Sequence, residues 1–266
     1  MKMCFVGAGK MATAMAAGLV NRGVLAVDEM RAVDISPDAR AAFTAATGVA
    51  CSKDASEALL QSDVVLLAVK PQYAAGAVSS IAATCADKLI VSIAAGLPLA
   101  RLGDWFGSQR VVRVMPNTPL MVEKGASVYA CAADVSDEDK AFVQTIFGTL
   151  GIAHELPEQA IDAVTALSGS GPAYVFEMIQ ALIDAAVAVD LPADIALELA
   201  AQTVAGAAEM VQRRLGTPED LRIAVTSPGG TTAAGLAVLE EANFRGMIAD
   251  VIRAARDRSI ELGKGS

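Results

Sequence analysis

The sequence predicts two materials in one chain: an α/β half built on a doubly wound parallel sheet, then an all-α half. Three observations carry this. The run Met3-Cys4-Phe5-Val6 leads straight into Gly7-Ala8-Gly9-Lys10-Met11-Ala12 and an alanine-rich helical pattern, so a strand, a tight turn and a helix open the chain. Apolar, β-branched runs then alternate with helical segments as far as Leu156. Beyond Ile161 the pattern is helical throughout. The first half therefore reads as a dinucleotide-binding domain over residues 1–158 and the second as a helical domain over 159–266, with the boundary at Pro157-Glu158-Gln159.

In the opening turn, Gly7 permits the bend, Gly9 lets backbone approach a pyrophosphate, and Ala12 keeps helix and strand close. Helix N-terminal N–H groups then favour phosphate. The alternative is an ordinary glycine turn. A second strand is expected over Met30 to Ile35, and Asp34 follows the motif by about 20 residues, where an acid can bond the adenosine ribose. It can equally be a strand-end turn residue. Ser36 either caps the next helix or meets a ribose 2′-phosphate.

Further strands are expected over Asp63 to Pro71, Lys88 to Gly96 and Arg110 to Met115, with helices over Ser36 to Thr47, Asp54 to Gln61, Gln72 to Cys85 and Pro98 to Phe106. Ligands on such sheets sit outside the carboxyl ends of the strands, which brings Ala68, Val69, Lys70, Pro71, Ala94, Ala95 and Asn117 toward the nucleotide. Gly125 to Cys131 and Gly151 to Leu156 read as closing strands, with a helix from Ser136 to Leu150 between them. Trp105 reads as a packing residue, and the sole histidine, His154, as structural.

Bulk composition narrows the partners. Hydrophobic residues make up 54% of the 266 but aromatics only 4%, so the core must be built largely from Ala, Val, Leu and Ile. A net charge of −9 repels nucleic acid and acidic membranes. Cys4, Cys51, Cys85 and Cys131 lack metal-ligand or disulfide spacing and read as core residues in a reducing compartment, with no metal site. The N-terminal apolar run is broken by Gly7, Gly9 and Lys10, and no long uncharged apolar run occurs elsewhere, so a soluble, cytoplasmic protein is expected.

In the second half, Ser168-Gly169-Ser170-Gly171-Pro172-Ala173-Tyr174 interrupts the helical pattern, its small residues allowing close backbone approach. Val175 to Val189 is apolar on nearly every side, and so short a set of helices cannot enclose it alone; subunit association is expected. Helices follow from Pro192 to about Leu215 and from Thr217. Then Ser227-Pro228-Gly229-Gly230-Thr231-Thr232 enters another helix with no strand before it. Such a helix start suits a small anion such as a carboxylate, or is simply a capped helix end.

The stretch VTSPGGTTAAGLAVLE from Val225 to Glu240, with SGSGPAY, AVKPQ, SIAAG, VMPNTP and the opening GAGKMA, resembles the pyrroline-5-carboxylate reductase family over essentially the whole chain. The resemblance implies reduction of the cyclic imine 1-pyrroline-5-carboxylate to proline with NADPH or NADH, the last step of proline synthesis. It also implies an N-terminal Rossmann domain and a C-terminal dimerisation domain, sometimes with dimers assembled into a ring. By position, Gly7, Ala8, Gly9, Lys10, Met11 and Ala12 would hold the pyrophosphate, and Ala68 to Pro71 with Ala94 and Ala95 would line the nicotinamide side. Ser227, Gly230 and Thr231 would hold the substrate carboxylate, and Thr232 would bond the ring nitrogen. Asp34 departs from the uncharged residue frequent in relatives, which bears on the choice between the two cofactors.

The chemistry fits the resemblance. Oxidising an alcohol generally requires a base for the hydroxyl proton, yet the second half contains no His, no Cys and no Lys before Lys264. Imine reduction escapes that need, because a protonated imine is already electrophilic and the product amine keeps its proton. A β-hydroxyacid dehydrogenase, the enzyme rival, would want a catalytic lysine there. A non-catalytic NAD(P)-sensing module, the rival of another class, gives Ser227 to Thr232 no role.

Overall fold

The computed structural model describes residues 1–265; Ser266, the end of the second expected domain, lies outside them. The chain packs as two compact units, one of residues 1–170 joined by the segment from Ala255 on, the other Gly171–Ala254.

The first unit runs β1 (Met3–Val6), α1 (Lys10–Asn21), β2 (Met30–Val33), α2 (Pro37–Thr47), β3 (Cys51–Ser52), α3 (Ser56–Leu60), β4 (Val64–Leu67), α4 (Pro71–Ile81), β5 (Leu89–Ser92), α5 (Leu99–Phe106), β6 (Val111–Met115), β7 (Gly125–Cys131), α6 (Asp137–Thr149) and β8 (Gly151–Glu155). Its strands form one eight-stranded sheet in the order β3-β2-β1-β4-β5-β6-β7-β8. Chain order reverses on either side of β1, with Val6 level with both Val33 and Leu67. All neighbours up to β6 are parallel, but β7 runs antiparallel to β6 before β8 pairs parallel to it. The sheet is thus parallel-dominated rather than wholly parallel. Pro116 to Lys124 supplies only a 3₁₀ turn at Thr118–Val122, too short for the crossover a parallel strand needs.

Two-residue alternation sorts the strands onto two cores. Met3 and Phe5 face one layer with Met15 and Leu19 of α1, Phe43 of α2 and Phe147 of α6. Cys4 and Val6 face the other, with Leu59 of α3, Val78 of α4 and Phe106 of α5. Trp105 packs at the margin of this second layer, whereas His154 is exposed on β8. Strands stop earlier than their apolar runs, at Val33, Leu67 and Ser92, and so leave apolar turn residues at one edge. Helix starts fall where hydroxyls were expected to cap them: Ser36 Oγ accepts from the Ala39 N–H, and Ser136 forms a reciprocal capping box with Asp139.

After β8, α7 (Ile161–Val164) runs into a π-helical turn, Thr165–Gly169, where the SGSG interruption was read. A Cβ on Gly169 would lie 2.4 Å from Met115 Cε, so close packing explains this glycine, whereas Gly171 faces open space. The helices α8 (Gly171–Ala188), α9 (Ala193–Gln212), α10 (Pro218–Ala224) and α11 (Thr231–Glu241) follow, then α12 (Phe244–Gly265). Within Gly171–Ala254 only Ala196 and Ala200 are buried. Along α8, Val175, Phe176, Met178, Leu182 and Val187 remain exposed in the single chain.

Candidate active site

The parallel ladder brings successive strand ends to one edge of the first unit. The Gly7 N–H donates to Val33 O and the Ala68 N–H to Val6 O, each at 2.8 Å, and the Ile93 N–H donates to Leu67 O at 3.1 Å. The turns after β1, β2, β4 and β5 therefore lie side by side. Gly7 has φ +103°, and a Cβ there would come within 2.9 Å of Ala68 O, so both conformation and space demand glycine. Gly9 is different. It is exposed, it is the N-cap of α1, and an added Cβ would meet nothing within 4 Å.

No side chain caps α1 and no acid lies in its first turn. The first intrahelical bond runs from Thr13 N to Gly9 O at 2.9 Å, so the N–H groups of Lys10, Met11 and Ala12 have no intrahelical acceptor. Lys10 is exposed, Met11 half-buried and Ala12 fully buried against the sheet. Open space, free amides and the positive end of a twelve-residue helix make a cradle that fits a pyrophosphate.

The amide of Ala8 is spent otherwise. It donates to Asp34 Oδ2 at 2.8 Å, while Asp34 Oδ1 accepts from the Ser36 N–H at 2.8 Å. Arg40, which the sequence reading passed over, donates from Nη1 to the carbonyls of Asp34 and Ile35 at 2.9 and 3.0 Å. Ala68 and Val69 are half-buried at the end of β4, and exposed Lys70 and Pro71 open α4. Ala94 is buried and Ala95 exposed after β5. The Asn117 carboxamide is engaged inside the unit, accepting from the Ala126 N–H at 2.9 Å and donating to Ser168 O at 3.0 Å. Its side chain is a brace between the end of β6 and the π-helical turn, not a free ligand-binding group.

In the second unit, Gly229 has φ +70° and Gly230 is the N-cap of α11. The Gly230 N–H donates to Ser227 O at 3.0 Å, and a Cβ on Gly230 would lie 2.4 Å from Ser227 Oγ, so the turn closes tightly on the serine. The first bond of α11, Ala234 N to Gly230 O at 3.2 Å, leaves the amides of Thr231, Thr232 and Ala233 without an intrahelical acceptor. Ser227, Thr231 and Thr232 are exposed. Such a turn can hold a small anion and offers hydroxyl donors beside it.

None of the cysteines is a ready nucleophile. Burial, reinforced by Cys85 and Cys51, pushes the Cys4 thiol up to about 12, and burial lifts Cys51, Cys85 and Cys131 to about 11. A concavity of about 590 Å³ lined by Leu99, Ala130, Cys131 and Glu155 to Gln159 contains none of the glycine-turn or strand-end residues described above.

Comparison with known proteins agrees with both halves. Residues 2–96 match the domain described as NADP oxidoreductase, coenzyme F420-dependent, and residues 158–262 match pyrroline-5-carboxylate reductase dimerisation. The pyrroline-5-carboxylate reductase of Glycine max is 44% identical across 97% of this chain and 94% of its own. The chain belongs to the pyrroline-5-carboxylate reductase family. Solved structures of relatives are similar over nearly the full chain. The Plasmodium falciparum pyrroline carboxylate reductase, solved with NADP bound, has a TM-score of 0.88 at 34% identity, covering 99% of this chain and 98% of its own. The pyrroline-5-carboxylate reductase of Coxiella burnetii has a TM-score of 0.91 at 34% identity, covering 98% of both chains.

Proposed function

We propose that the chain reduces 1-pyrroline-5-carboxylate to proline with NADPH or NADH, with the cofactor on the first unit and the substrate carboxylate on the α11 turn of the second. The observation that carries this is the pair of uncapped helix starts, α1 behind Gly9 and α11 behind Gly230, each free of first-turn acids. Family membership selects the reaction.

Gly7, Gly9 and the amides of Lys10, Met11 and Ala12 would hold the pyrophosphate, with Ala8 and Asp34 fixing the loop from behind. Ser36 lies beside the ribose position, and Ala68 to Pro71 with Ala94 and Ala95 line the nicotinamide side. Asn117 supports that edge from within. When bound, the reduced nicotinamide supplies the hydride.

The remaining work falls to residues of the second unit. The Gly230-Thr231 backbone and the Ser227 hydroxyl receive the carboxylate, and Thr232 Oγ1 orients the ring nitrogen. The protonated imine needs no acid at its carbon, and the product amine retains the proton, so the absence of His, Cys and Lys from residues 171–254 is no handicap. The same absence argues against a β-hydroxyacid dehydrogenase, whose alcohol proton needs a base.

Self-association completes the reading: the exposed apolar residues of α8 in a unit with so little core call for a second copy, as a dimer or a ring of dimers. Among the described residues no helix is long and apolar enough to cross a membrane, and the acidic charge and four free cysteines fit a cytoplasmic enzyme without nucleic-acid partners.

The test is cofactor absorbance with purified protein. Pyrroline-5-carboxylate should deplete NADPH or NADH catalytically, and β-hydroxyacids should give no reduction of NAD(P)⁺. Cofactor binding without turnover on pyrroline-5-carboxylate would favour a sensing module.

A further inference from the structure

We infer that Arg40 admits the 2′-phosphate of a phosphorylated nicotinamide cofactor, so that the chain prefers NADPH to NADH despite the acid at Asp34. This rests on reading Gly7 to Ala12 as the cofactor loop.

Asp34 occupies the position from which a carboxylate selects an unphosphorylated ribose by accepting from its hydroxyls. Here both of its oxygens already accept backbone bonds, from Ala8 in the glycine loop and from Ser36 at the start of α2, each at 2.8 Å. The carboxylate ties the end of β2 to the loop, and the two N–H dipoles draw its charge inward.

Arg40 is one turn into α2, and its side chain folds back over the same strand end. Nη1 is pinned on two carbonyls, those of Asp34 and Ile35, at 2.9 and 3.0 Å. Among the described residues, Nε and Nη2 have no hydrogen-bond partner and no carboxylate pairs with the guanidinium. Arg22, Arg110, Arg113 and Arg222, by contrast, close ion pairs; Arg31 is held as Arg40 is, with Nη1 on the carbonyls of Asp28 and Met30, but it stands within β2 rather than beside the strand end at Asp34. A half-buried arginine held at one nitrogen has already lost much of its rotamer freedom, and its open fork matches a phosphate. Ser36 adds a donor, for its Oγ accepts from Ala39 N–H at 3.2 Å and its hydroxyl hydrogen is free.

Calorimetry with two fragments that lack nicotinamide, 2′,5′-ADP and 5′-AMP, tests the assignment without turnover. Wild type should bind 2′,5′-ADP about 10- to 100-fold more tightly, and Arg40→Met should abolish that margin while leaving 5′-AMP and NAD⁺ affinity unchanged. Arg40→Lys, which restores charge without the fork, should recover part of it. Equal affinity of wild type for the two fragments, or equal losses for both in Arg40→Met, would overturn the role of Arg40. If such a wild type still reduced pyrroline-5-carboxylate, the reductase reading would stand without it; a wild type that bound neither fragment nor either cofactor would remove both.

Discussion

Arg110 closes a two-pronged ion pair on the fully buried carboxylate of Asp139, from Nε at 2.8 Å and from Nη2 at 2.7 Å. The same carboxylate accepts the Ser136 N–H at 3.1 Å, so one group fastens the start of α6 to the start of β6. Hydrogen bonding from Arg110, aided by Ser136, holds the Asp139 carboxyl below the usual carboxylate range against the opposing effect of burial. Because the folded value is the lowered one, this stabilisation is complete above about pH 4 and is lost as pH falls through the folded value. Asp139→Asn should cost about 3 kcal/mol at neutral pH, the low end for a broken buried pair because Arg110 keeps some water. Denaturant melts from neutral to acid pH should show the variant less stable and less acid-dependent than wild type. A wild-type profile in the variant would show that the pair contributes nothing net.

Asp34 makes a separable prediction. With its carboxylate bound to Ala8 and Ser36, Asp34→Ser should loosen the glycine loop and weaken NADPH and NADH together by about 1–3 kcal/mol. Specificity constants for both cofactors decide the matter. A change in their ratio larger than the common loss would make Asp34 a discriminating residue rather than a loop fastener.

The apolar face of α8 bears on assembly. Ala181→Arg would force an unpaired charge into the expected subunit interface and should dissociate or unfold the protein. Light scattering reads the outcome directly. A wild type that stays monomeric at micromolar concentration would contradict self-association through this helix.

Much of this was legible in the sequence, and the misses have physical causes. The strand-turn-helix at Gly7 was readable because an apolar strand leads straight into it, and the central strands because they are buried on both faces. Their ends were not, since Ala68, Val69, Ile93 and Ala94 stay apolar after the ladder has stopped. Cys51–Ser52 is too short to show alternation, and the reversal of β7 lies in the length of a connection rather than in any residue pattern. Asn117 looked like a site residue by its place after β6, but its partners Ala126 and Ser168 are set by tertiary packing. Arg40 was invisible for the same reason: what marks it is its fold back onto the carbonyls of Asp34 and Ile35 at the end of β2.

Thr232 carries the sharpest catalytic expectation. A hydrogen bond that orients a charged reacting centre is worth about 1.5–3 kcal/mol, so Thr232→Ala should lower kcat/KM by about 10- to 100-fold. Cofactor affinity should hold, and Thr232→Ser should keep most activity because the hydroxyl is the acting group. If Thr232 were only a first-turn helix residue, the alanine variant would keep its turnover and change stability by at most about 1 kcal/mol.

The central claim is that hydride passes from the nicotinamide ring to the imine carbon of pyrroline-5-carboxylate. Mass spectrometry of the product made with NADPH deuterated at the transferred C4 position tests it most directly. Proline carrying one deuterium, at the former imine carbon, is the expected result. Unlabelled proline, or labelled cofactor returned intact after incubation with substrate, would contradict the claim.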